Sequence, residues 1–245
     1  MKWRDAALDV FFPCRRCLVC DGAEAGEEGI CAVCREKLRR LPEPVCAVCG
    51  KPLAGRAVCL ACTMERPPYS AARCAFLYED AARDLVRRMK FSGEFDLPAR
   101  LFGREIARMV GLAGWRPEVV TCVPATARTR RERGYNQAEV LGRRVSRLLR
   151  LPFLPRALGK RSGTRSQVGL SAEERRANIA GSILPDRDAA RFVGKTVLLV
   201  DDVMTTGATV EECASTFLQH GAEAVYVACA ARRLYTAEDD LKREE

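Results

Sequence analysis

The sequence predicts an α/β protein: a parallel sheet with flanking helices, preceded by a small cysteine-rich module. Three observations carry this. Val197-Leu198-Leu199-Val200 is an unbroken apolar run that leads into an acidic pair, a hydroxyl- and glycine-rich loop and an amphipathic helix. Glu118 to Val123 is a second apolar strand, ending in Pro124 and followed by a polar loop and another helix. Finally, eight cysteines form four Cys-x2-Cys pairs between Cys17 and Cys62. Strand, loop and helix in succession indicate βα units, whose strands are buried on both faces.

Composition bounds the rest. The chain has 245 residues, 48% of them hydrophobic, 30% charged, and a net charge of +9. That is ample for a core, and no run approaches the ~18 apolar residues of a membrane-spanning helix. Lys2, Arg4, Asp5 and Asp9 interrupt the segment Met1 to Phe12, which therefore lacks the apolar stretch of a secretory signal. It reads as a short amphipathic helix with Trp3, Ala6, Ala7, Val10 and Phe11 on one face, and a cytoplasmic location is expected.

The thirteen cysteines are an odd number, and nine of them lie between Cys14 and Cys62. A reducing compartment makes clustered cysteine a metal signature before a disulfide one. Cys17, Cys20, Cys31 and Cys34 form one unit; Cys46, Cys49, Cys59 and Cys62 form a second of nearly equal inner spacing. Two facing Cys-x2-Cys turns supply the four thiolates of a tetrahedral zinc site. Equal spacing favours sequential sites over crossed ones, although both satisfy the pattern. Cys14 competes with Cys20, because Cys14-x2-Cys17 is also such a pair; the Cys17/Cys20 choice matches the second unit better. All-cysteine sites are closed, so this zinc is expected to be structural. Cys74, Cys122, Cys213 and Cys229 read as core residues. The cysteines stop near Glu65-Arg66-Pro67-Pro68, which sets an expected boundary between residues 1–66 and 67–245.

Charge is equally localised. Residues 128–176 hold fourteen Arg or Lys against four Glu, a segment charge of +10 in a chain that is otherwise close to neutral. Such a segment is expected to face something anionic. Within it a helix places Ala138, Leu141, Val145 and Leu148 inward, with Arg143, Arg147 and Arg150 on its outer face. Lys160 to Gln167 is polar and without periodicity. The aromatics of the segment, Tyr135 and Phe153, are too few for a base-stacking platform.

The loop Thr205-Thr206-Gly207-Ala208-Thr209 sits where helix amides are unpaired and the helix dipole is positive, which suits a phosphate. Asp201 and Asp202, at the carboxyl end of their strand, can accept from a cis-diol. Phosphate and diol together describe ribose 5-phosphate. Val210, Cys213, Ala214, Phe217 and Leu218 then mark a helix that Gly221 ends, with His220 placed to cap it.

Val197 to Thr209 resembles the binding signature for phosphoribosyl pyrophosphate (PRPP) in type I phosphoribosyltransferases. Together with the paired zinc ribbons and the stretch Arg133-Gly134-Tyr135-Asn136-Gln137, it makes the whole chain similar to the ComF family of competence-associated, phosphoribosyltransferase-like proteins. The resemblance implies a type I phosphoribosyltransferase sheet; the double zinc ribbon that precedes it is expected to act as a hood over its site. It implies Mg²⁺ bound with PRPP, and pyrophosphate displaced by an acceptor. By it, Asp201 and Asp202 take the ribose hydroxyls, Thr205, Thr206, Gly207, Ala208 and Thr209 the 5-phosphate, and Ala125, Thr126 and Arg128 the pyrophosphate loop. Arg161 and Arg165 belong to the flexible loop that meets pyrophosphate. It also implies a link to DNA uptake and natural transformation. The alternative keeps the fold but makes it a single-stranded DNA-binding adaptor working with competence proteins, PRPP being a regulatory or vestigial ligand.

Overall fold

The computed structural model describes residues 16–26, 28–93, 95–161 and 179–234. The expected N-terminal helix, Cys14, Arg165 and most of the expected flexible loop lie outside the described residues. The elements are α1 (Ala32–Glu36), α2 (Leu60–Met64), β1 (Ala71–Leu77), α3 (Asp80–Phe91), α4 (Asp96–Leu112), β2 (Val119–Cys122), α5 (Ala127–Arg133), α6 (Gln137–Leu149), β3 (Phe153–Leu154), β4 (Leu158–Lys160), β5 (Ile183–Pro185), β6 (Thr196–Met204), α7 (Ala208–Gln219) and β7 (Ala224–Arg232). Among the described residues no helix is long and apolar enough to cross a membrane.

Five strands form one parallel sheet in the order β1-β7-β6-β2-β3. Its centre is β6, where Val197, Leu198, Leu199 and Val200 are all fully buried. Strand alternation divides them between two cores. Val197 and Leu199 pack with Val210, Cys213, Ala214 and Phe217 of α7; Leu198 and Val200 pack with Phe102 and Ile106 of α4 and Leu141 and Val145 of α6. Each such side chain contributes about 1.5–3 kcal/mol by leaving water. The four expected core cysteines are buried, Cys74 on β1, Cys122 on β2, Cys213 on α7 and Cys229 on β7. A separate antiparallel pair, β4 with β5, brackets residues 161–182.

On α6 the sequence reading needs one correction. Ala138, Leu141 and Val145 are buried, but Leu148 is 41% exposed. Eleven residues close about three helical turns, so Leu149, not Leu148, returns to the face of Ala138. Leu149 is packed against the core. His220 caps α7 as expected, its Nδ1 lying 2.8 Å from the carbonyl oxygen of Thr216, and Gly221 follows with φ 90°.

The open edge of β1 would expose unpaired backbone groups, and the cysteine module covers it. The Leu77 amide donates to Arg39 O at 2.8 Å and the Ala72 amide to Val48 O at 2.6 Å. Gly50 makes that approach possible, since a Cβ there would lie 2.5 Å from Ala72 O. Each cysteine set also enters a different core: Cys17, Cys31 and Cys34 join the α3/α4 side, and Cys46, Cys49, Cys59 and Cys62 the α7 side. The module therefore straddles the sheet edge.

Candidate functional site

Both cysteine sets converge as sequential units. The thiols of Cys17, Cys20, Cys31 and Cys34 lie within 4.8 Å of one another, as do those of Cys46, Cys49, Cys59 and Cys62. Sulfurs bound tetrahedrally to zinc at about 2.3 Å are about 3.8 Å apart; Cys49 Sγ and Cys59 Sγ are 3.7 Å apart. Amides also stabilise the thiolate form. Cys31 donates to Cys17 Sγ and Cys59 to Cys46 Sγ, both at 3.3 Å. Burial opposes ionisation of Cys17, but these and neighbouring amides outweigh it and hold the thiol down at about 6. Burial likewise opposes ionisation of Cys46, which its amides hold at about 6. The donor sets fit two structural zinc ions.

At the carboxyl end of the parallel strands lies a cavity of about 490 Å³. Open α/β sheets bind ligands at this position. The cavity joins three segments. The turn after β2 contributes Val123, Pro124, Ala125 and Thr126; β6 and the loop after it contribute Asp201, Asp202, Thr205, Gly207 and Thr209; Lys160 at the end of β4 closes one side.

Local structure explains the shape of the phosphate loop. Gly207 is the N-cap of α7 with φ 98°, a backbone state that glycine adopts without strain. Thr206 Oγ1 accepts from the Ala208 amide at 3.4 Å, and Thr205 and Thr209 line the cavity. In front of the loop, Asp201 Oδ1 accepts from the Asp202 amide at 2.9 Å, and Asp202 Oδ1 from the Val203 amide at 2.7 Å. Burial, reinforced by the adjacent Asp202 carboxylate, pushes the Asp201 carboxyl well above the usual range.

Several lining residues were not expected as site residues from the sequence. Lys90 of α3 reaches Asp202 Oδ2 at 2.8 Å. Burial works against its charge, yet the Asp202 carboxylate holds the ammonium above the ordinary lysine range. Tyr78, Thr129, Arg133, Asn136, Gln137 and Arg233 also line the cavity. Burial pulls the Lys160 ammonium below its usual range.

Other expected site residues lie elsewhere. Arg128 is on the exposed side of α5, 2.7 Å from Glu132 and outside the cavity lining. The reason is local: Thr126 caps α5 by accepting from Thr129 N at 3.1 Å, so position 128 already belongs to a helix and meets Glu132 one turn on. Arg161 is exposed just beyond β4, its amide donating to Ser182 O at 2.9 Å, and the cavity lining includes Lys160 instead. Thr206 and Ala208 shape the loop without lining the cavity. Described residues of the cysteine module stay outside the lining too.

Residues 7–63 match the double zinc ribbon domain, and residues 136–244 the phosphoribosyl transferase domain. Competence protein F of Haemophilus influenzae is 30% identical over 228 residues, which is 89% of this chain and 96% of that one. The chain belongs to the ComF family. A second ComF relative, DNA utilization protein YhgH of Escherichia coli K12, is 31% identical over 214 residues, covering 85% of this chain and 92% of that one. Competence protein ComFC of Bacillus subtilis is 25% identical over 201 residues, 80% of each chain. The second domain match begins at Asn136 and runs through β6, the loop and α7. The ComF chain thus pairs a double zinc ribbon with a phosphoribosyl transferase domain built on a parallel sheet.

Proposed function

We propose that this ComF protein binds Mg²⁺-PRPP in the cavity and transfers the phosphoribosyl group to an acceptor with release of pyrophosphate. One observation carries the reading: β6 delivers Asp201 and Asp202 beside the hydroxyl-rich N-terminus of α7, in one cavity with the turn after β2. Thr205, Gly207 and Thr209 hold the 5-phosphate, Asp201 and Asp202 accept from the ribose hydroxyls, and Ala125 and Thr126 lie against the pyrophosphate. Mg²⁺ would be held chiefly by PRPP and water, in keeping with its slow dehydration, and would supply positive charge against the leaving group. The acceptor nucleophile bonds to the anomeric carbon as the C–O bond to pyrophosphate breaks. Charge builds on both fragments, so preorganised donors and cations are the main catalytic need. Lys90 and Lys160 supply cations at this wall. A pyrophosphate-release assay with Mg²⁺-PRPP against nucleobases, amines and single-stranded DNA ends tests the reading; release that persists in an Asp201→Ala/Asp202→Ala variant counts against it.

A second reading, single-stranded DNA binding, has its own observation. A groove of about 390 Å³ beside the cavity gathers Arg130, Arg143, Arg144 and Arg147 with Phe95 and Tyr135, whose ring centroids are 4.8 Å apart. Phe95 comes from outside the basic segment, which is why the segment alone looked poor in aromatics. The names of the relatives, competence protein and DNA utilization protein, agree with such a partner. Direct binding predicts affinity that falls steeply with salt and weakens on charge reversal at Arg143 and Arg147; salt-insensitive binding excludes it.

A further inference from the structure

Gln137 opens α6 and is only 5% exposed, yet its Nε2 has no hydrogen-bond partner among the described residues. Buried amide donors are almost always paired, because an unpaired one has given up water without replacement. Its neighbour shows the contrast. Asn136 Nδ2 donates to Val123 O at 2.9 Å, and its Oδ1 accepts from the Ala138 amide at 3.2 Å. Those bonds pin the start of α6 over the end of β2, and Gln137 is a lining residue of the cavity, as are Ala125, Thr126 and Arg133.

This wall is suited to an anion. The helix is 13 residues long, and its N-terminus carries the positive end of the dipole. Arg133 adds a cation to the lining. Of the nearby acids, Glu132 pairs with Arg128, Glu139 with Arg130 and Arg143, and Asp202 with Lys90. The 5-phosphate loop belongs to β6 and α7, whereas Gln137 stands by the turn after β2.

We propose that Gln137 Nε2 donates to an oxygen of the diphosphate of PRPP and so selects the leaving group. The inference rests on the PRPP reading above and adds to it a residue outside the Thr205–Thr209 loop. The test is calorimetry of wild type, Gln137→Leu and Gln137→Glu with three ligands: Mg²⁺-PRPP, Mg²⁺-pyrophosphate and ribose 5-phosphate. Melting temperatures confirm that each variant is folded. The expected result is a loss of pyrophosphate affinity of roughly ten- to a hundredfold in Gln137→Leu, in line with a hydrogen bond to a charged group. Gln137→Glu should lose more, through repulsion, while ribose 5-phosphate binding stays within about twofold in both. Equal losses for both fragments, or no loss in either variant, overturn the assignment while leaving the PRPP reading intact. Wild-type protein that binds neither PRPP nor pyrophosphate removes both.

Discussion

Replacing Lys90 by methionine should destabilise the protein. The side chain keeps its length but loses the ammonium that lies 2.8 Å from Asp202 Oδ2. Two unit charges at that distance attract by about 6 kcal/mol at an effective dielectric of about 20. The measurable cost is smaller, because water screens part of that attraction and removing one partner of a largely buried pair costs about 3–5 kcal/mol. Urea unfolding at pH 7 reads the loss directly. Lys90→Met should lose about 3–4 kcal/mol, and Lys90→Met/Asp202→Asn should recover most of it. An unchanged stability of the single variant, or a double variant no more stable than the single one, would refute the ion-pair reasoning.

Other outcomes follow from the same structure. Asp201→Asn should stabilise the unliganded protein at neutral pH by about 0.5–2 kcal/mol, since functional acids are held at a cost. A carboxyl raised in the folded state contributes stability that declines as pH rises past its unfolded value, so this gain should vanish below about pH 4, as paired melts at the two pH values would show. Stripping zinc with a chelator should unfold the ribbons and also lower the melting temperature of the sheet domain, because Cys17, Cys46 and their partners belong to the two cores; an unchanged melt of the remaining fold would contradict that coupling. Arg232→Met should cost about 1.5–3 kcal/mol through the lost charged hydrogen bond to Cys49 O, formed at 2.6 Å, and urea midpoints measure it. Phe217→Ala, at a fully buried site stacked edge-on against Phe192, should cost about 3–5 kcal/mol in the same assay.

What the sequence made legible depended on how local each signal was. The run Val197 to Val200, the acidic pair and Gly207 are contiguous, so strand, loop and helix N-terminus could be placed together, and β6 lies at the sheet centre as the apolar run required. The two cysteine sets were equally local, and their thiols meet in the sequential arrangement. Lys90, Gln137 and Phe95 were not legible as site residues. Lys90 reaches Asp202 only because α3 packs across the sheet, more than a hundred residues away in sequence. Gln137, although part of the Arg133–Gln137 stretch, stands out as a site residue through burial without a partner, and Phe95 through contact with Tyr135. Arg128, expected on the pyrophosphate loop, lies on α5 with its side chain paired to Glu132 on an exposed face.

Direct binding of PRPP tests the central claim most closely. Calorimetry with Mg²⁺-PRPP on the zinc-loaded full chain should give saturable binding at one site, with ribose 5-phosphate weaker and an Asp201→Ala/Asp202→Ala variant of unchanged fold losing most of the affinity. Absence of binding by the wild type, or undiminished binding by the double variant, would contradict the assignment of the β6 acids and the Thr205–Thr209 loop to this ligand.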